Sequence, residues 1–146
     1  MRISAKYSRN KLYNQSEPLF QEAISRIREI IADHDPNGQL LMATVLTTAG
    51  MQYMEMQQPE KAEAVLLQSL PLLRSLAARD PAGYRRSVAM VLASLTQIYL
   101  GTERRAQAVT AGEEALSIWK ELQPTDPEAL GRYIEQMRKM LNKDKM

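Results

Sequence analysis

The sequence predicts an all-α chain, a stack of antiparallel helix pairs with about three repeats and a closing helix. Three observations carry that prediction. Straight-chain helix formers dominate the 146 residues, with one Phe and no alternating β-branched run. The pairs Asp35-Pro36, Asp80-Pro81 and Asp126-Pro127 recur at spacings of 45 and 46. Between them, apolar residues return every three or four positions, as on one face of a helix.

In each Asp-Pro pair the Asp caps a helix whose first residue is Pro, where a missing N–H costs nothing. Gln58-Pro59 and Gly101-Thr102 make weaker breaks. The expected helices are 17–33, 36–57, 59–78, 81–100, 103–122 and 127–142, after an opening stub at 1–12. Val88, Leu92, Leu95 and Tyr99 form one such stripe. Pro71 interrupts the apolar pattern of 59–78, but Leu72, Leu73 and Leu76 continue it, so a kink is expected there and not a stop. The units of this single domain, 1–146, are 1–34, 35–79, 80–125 and the capping helix 126–146.

Residue types repeat with the punctuation. Tyr7, Tyr53 and Tyr99 each precede a small residue by nine positions: Ser16, Ala62 and Ala108. Seven and eight residues further on stand Ala23-Ile24, Ser69-Leu70 and Ala115-Leu116. Upstream, Leu46 and Ala49 match Leu92 and Leu95. A small side chain belongs where two antiparallel helices cross, and no pair could bury its apolar face alone.

Composition excludes much else. No Cys is present, which removes disulfides, thiol catalysis and thiolate metal sites. No run of apolar residues is long enough to span a bilayer, and 1–16 is basic without an apolar core, so no membrane association is expected and the expected compartment is the cytoplasm. Charge runs +4 over 1–16, −4 over 17–126 and +2 over 127–146. An acidic body, with only Lys6, Arg9 and Lys11 of the opening stub as a basic patch, argues against nucleic acid.

No constellation for catalysis appears, and no cofactor or metal is expected. His34, the sole histidine, sits in Asp33-His34-Asp35-Pro36, which reads as a helix-terminal turn because no second ligand of its kind exists. Glu113 and Glu114 are neighbours on a helix and point apart, as a solvated face. Trp119, spaced by three from Leu116 and Leu122, reads as core.

The series Leu46, Ala49, Gly50, Tyr53, Ala62, Ser69 and its counterpart Leu92, Leu95, Tyr99, Ala108, Ala115 resemble the tetratricopeptide repeat. Tyr7, Tyr13 and the run from Ser16 to Ile24, closing at Asp33-His34-Asp35-Pro36, resemble its kinesin-light-chain subtype, although Thr48 and Ser94 stand where Asn is usual there. The resemblance implies a right-handed superhelix whose concave face is built from the first helix of each pair. It puts Thr44, Thr47, Thr48, Met51 and Met54 on that face, together with Met90, Ser94, Gln97 and Leu100. Members that grip chaperone C-termini use Lys, Arg and Asn at such positions. Thr47, Met51, Met90 and Ser94 cannot assemble that clamp.

Two functions follow as expectations. The first is a non-catalytic adaptor that binds a peptide or helix of a protein partner in this weakly polar, methionine-rich groove. The second is self-assembly into a homo-oligomer through unfinished solenoid ends, or membership of a longer scaffold. In that reading Ile3 to Tyr7 supply only the last part of a first helix. The helix 127–142 turns Leu130, Tyr133, Ile134, Met137 and Leu141 inward and caps the other end.

Overall fold

In a computed structural model, residues 17–29 and 35–143 are described, and all of the regular structure among them is helical. Helix α1 occupies 17–29. It is followed by α2 (Pro36–Glu55), α3 (Pro59–Arg79), α4 (Pro81–Gly101), α5 (Arg105–Leu122), a 3₁₀ turn (Gln123–Thr125) and α6 (Pro127–Lys143). The opening stub, Tyr7, Ser16 and the turn at His34 lie outside the described residues. The chain divides into two compact units, Met1–Leu72 and Leu73–Met146.

The Asp-Pro caps form as the sequence requires. The Asp35 carboxylate accepts from the Asn37 amide at 3.0 Å, and that of Asp80 from the Gly83 amide at 3.1 Å. Asp126 accepts from the Ala129 amide at 3.4 Å. Gly83 is needed beside its cap, since a β-carbon there would fall 2.5 Å from Asp80 Oδ2.

The turns between paired helices repeat atom for atom at a spacing of 46. Gln57 and Glu103 both adopt φ 59°, the left-handed conformation that ends a helix abruptly. The Gln58 amide donates to the Tyr53 carbonyl at 2.9 Å, and the Arg104 amide to that of Tyr99 at 2.8 Å. Next, the Ala62 amide donates to Gln58 and the Ala108 amide to Arg104, which starts each second helix.

In the first unit α2 and α3 cross at small residues. Ala62 and Ser69 are fully buried, and Ser69 lies 2.6 Å from Thr47 Oγ1 while reaching the Ala43 carbonyl at 3.3 Å. Leu46, Ala49, Tyr53 and Leu66 fill the interior. Each large aliphatic so buried contributes about 2 kcal/mol. Helix α1 is tied to this pair by Arg28, which donates to Gln68 at 2.6 Å, and by Glu17. Glu17 accepts from Lys61 at 2.9 Å and from the Tyr53 hydroxyl at 3.2 Å. The Lys61 ammonium holds the Glu17 carboxyl below its ordinary range, and burial pushes the Tyr53 hydroxyl up.

Helix α3 is unbroken through Pro71, whose missing N–H leaves the Leu67 carbonyl without its helical donor. Leu67 is exposed, so that carbonyl can turn to water.

In the second unit α4 packs on α5 through Val88, Leu92, Leu95, Tyr99, Ala108, Ala115 and Ile118, all buried. Arg74 grips the Glu114 carboxylate with both guanidinium nitrogens. Arg28 and Gln68 stand 46 residues earlier, at the same two positions. Helix α6 buries Leu130, Ile134, Met137 and Leu141 and leaves Arg132, Glu135, Arg138 and Lys139 exposed. It closes onto Gly112, where a β-carbon would lie 3.1 Å from both Met137 Sδ and Leu141 Cδ1.

Candidate binding groove

Helix α4 presents Arg86, Met90, Ala93, Ser94 and Gln97 along one face, because those spacings of three and four return to the same side of a helix. Helix α6 does the same with Tyr133, Gln136, Met137 and Met140. Trp119 of α5 lies beneath both. Together these ten residues line a groove of about 250 Å³ inside the second unit.

Its floor is rigid. Trp119 is 6% exposed, and its ring centre lies 5.5 Å from that of Tyr133 at a tilt of 38°. The Arg86 guanidinium lies 5.9 Å from the Tyr133 ring centre and 3.4 Å from the Asp126 carboxylate, which fixes one end of the groove. Ser94 donates to the Met90 carbonyl at 3.1 Å, so its proton is used within α4. Met90 itself is 50% exposed.

Of the nine residues expected to face a partner, Met90, Ser94 and Gln97 meet in this groove, and Leu100 is half-buried nearer the end of α4. The other five belong to α2 in the first unit. There Thr44 and Thr48 are exposed, while Thr47, Met51 and Met54 are half-buried. Thr44 donates to the Leu40 carbonyl at 2.8 Å, and Thr47 is bonded to Ser69.

No family model, curated protein sequence or solved structure matches this chain.

Sequence reasoning missed the far wall of the groove. Tyr133, expected on the apolar stripe of the capping helix, is 39% exposed and lines the groove with Gln136 and Met140. The repeat held the signal: 46 residues beyond Met90 and Ser94 stand Gln136 and Met140. Trp119 is core, as expected, and it is also the groove floor. Among the described residues no group of His, Asp or Glu could hold a metal ion, and no helix is long and apolar enough to cross a membrane.

Proposed function

We propose that the chain is a non-catalytic adaptor of tetratricopeptide type, a right-handed stack, which binds a peptide or helix of a partner protein in the groove between α4 and α6. The repeated turn, with Gln57 and Glu103 in the same left-handed conformation and the same carbonyls accepting, supports the repeat assignment. The observation that carries the binding role is Met90, a large apolar side chain left half in water in a groove lined also by Trp119 and Met140. Methionine surfaces of this kind adapt to varied apolar guests.

The test is selection of a displayed peptide library on the immobilised chain, with titration of the recovered peptides against Met90→Glu. Loss of affinity with unchanged helicity supports the groove. Equal affinity for both proteins removes it.

One observation favours self-assembly as a second reading. Leu19 on α1 is 65% exposed, whereas Val65 and Ala111, at the same repeat position, are 6% and 7% exposed. Sedimentation velocity over a wide concentration range, with Leu19→Lys as control, decides it. A monomer throughout excludes this reading.

A further inference from the structure

Seven of the nine methionines fall within the described residues, and they differ sharply in access to water. Met42 and Met137 are buried, Met51, Met54, Met56 and Met140 are half-buried, and Met90 alone of these seven is exposed. No cysteine is present to intercept an oxidant first. Oxidation of a thioether follows exposure and turns a flexible apolar side chain into a polar one.

We propose that Met90 is a reversible oxidation site, and that hydrogen peroxide acting on it converts the groove from an apolar to a polar surface. In the step, the peroxide O–O bond breaks and one oxygen is transferred to the Met90 sulfur, which loses two electrons. The second oxygen leaves as water. A thiol-dependent sulfoxide reductase reverses the change: two thiols become a disulfide and the oxygen departs as water.

The fold is suited to tolerate the product. The positions 46 residues before and after Met90 hold Thr44 and Gln136, so a polar group already occupies this place on α2 and α6. Arg86 stands four residues before Met90 on the same face and lines the same groove. Its guanidinium is within a helical turn of the new S=O, a strong acceptor, and its existing ion pair with Asp126 is long at 3.4 Å. Oxidation therefore offers Arg86 a further acceptor beside Asp126 and leaves the core untouched.

The loss of peptide binding rests on the groove reading above; the selectivity of oxidation does not. The intact chain is treated with dilute peroxide and mapped by peptide mass over time, with Trp119 emission followed in parallel. Trp119 is the sole tryptophan and lines the same groove. The Met90 peptide is expected to gain one oxygen ahead of the other six described methionines. Trp119 emission should shift with the same time course, return on treatment with the reductase, and stay constant in Met90→Leu. Peptides selected on the reduced chain should bind about tenfold more weakly after oxidation, the loss expected when an apolar guest must displace the sulfoxide oxygen from water and from Arg86. Faster oxidation of Met51, Met54 or Met140 overturns the site. A Met90 sulfoxide that leaves Trp119 emission unchanged overturns the switch. Unchanged peptide affinity after oxidation, with affinity still lost in Met90→Glu, overturns the switch alone. Full affinity in Met90→Glu overturns the groove itself.

Discussion

A β-carbon on Gly50 would lie 2.6 Å from Leu66 Cδ2, inside any permitted contact between α2 and α3. Leu66 is fully buried and cannot swing away. Gly50→Ala should therefore destabilise the chain by about 1 kcal/mol, overpacking of about 2 kcal/mol being offset in part by the better helix propensity of Ala. Gly101 meets nothing within 4 Å, so Gly101→Ala should be neutral or stabilising. Urea midpoints of the two variants check both signs. A second measurement isolates the contact: Gly50→Ala should cost less in a Leu66→Ala background, giving a non-zero coupling in the double-mutant cycle.

The two left-handed residues are polar but not glycine. Gln57 and Glu103 both carry a β-carbon at φ 59°, a conformation that costs a non-glycine residue about 1 kcal/mol. Gln57→Gly and Glu103→Gly should each stabilise by roughly that amount. The turns share no atoms, so the double variant should show the sum. Thermal melting reads the effect as an upward shift, and a downward shift would mean that the side chains make contacts worth more than the strain.

These turns also show what the sequence could and could not convey. The Asp-Pro caps and the small residues at Ala62 and Ala108 were legible, because each depends on local chemistry or on one crossing point that repeats. The exchange of sizes across the next crossing was not. Gly50 faces Leu66 in one repeat, while 46 residues later Thr96 and Gly112 hold the corresponding positions, large and small reversed. Gly112 is small because α6 closes onto it, a tertiary fact with no local signature. The same holds for the groove. Met90 and Gln97 were expected on an open face of α4 from the repeat resemblance, but Tyr133 was placed on the apolar stripe of the capping helix and Gln136 and Met140 drew no expectation, since an amphipathic helix does not announce which edge of its stripe stays open.

The caps rank by geometry. Asp80 bonds the Gly83 amide at 3.1 Å, whereas Asp126 reaches the Ala129 amide at only 3.4 Å and also faces Arg86. Asp80→Ala should cost about 1 kcal/mol through the lost cap. Asp126→Ala should cost less at the helix end, and it frees Arg86 at the groove. The second variant should thus change Trp119 emission or peptide affinity more than it changes the melting temperature, while the first does the reverse.

Acid should loosen the second unit through Glu114. Arg74 is hydrogen-bonded to its carboxylate and holds it below the ordinary glutamate range, and Glu114 in turn raises Arg74. A carboxyl whose folded value is depressed binds its proton more readily in the unfolded chain. Its stabilisation is therefore complete above the unfolded value of about 4.3 and is lost as pH falls through the folded one. The side chains are 46% and 37% exposed, so solvent screening limits the pair to about 0.5–1 kcal/mol at low salt. Wild type should exceed Glu114→Gln in urea stability by that margin near pH 6, and the gap should close as pH drops below about 4. Other carboxylates titrate alike in both proteins and cancel in the difference. Added salt should narrow the gap at pH 6 as well, because the pair is exposed enough to be screened. A gap that persists at pH 3 would assign the effect to packing of the Glu114 stem and not to its charge.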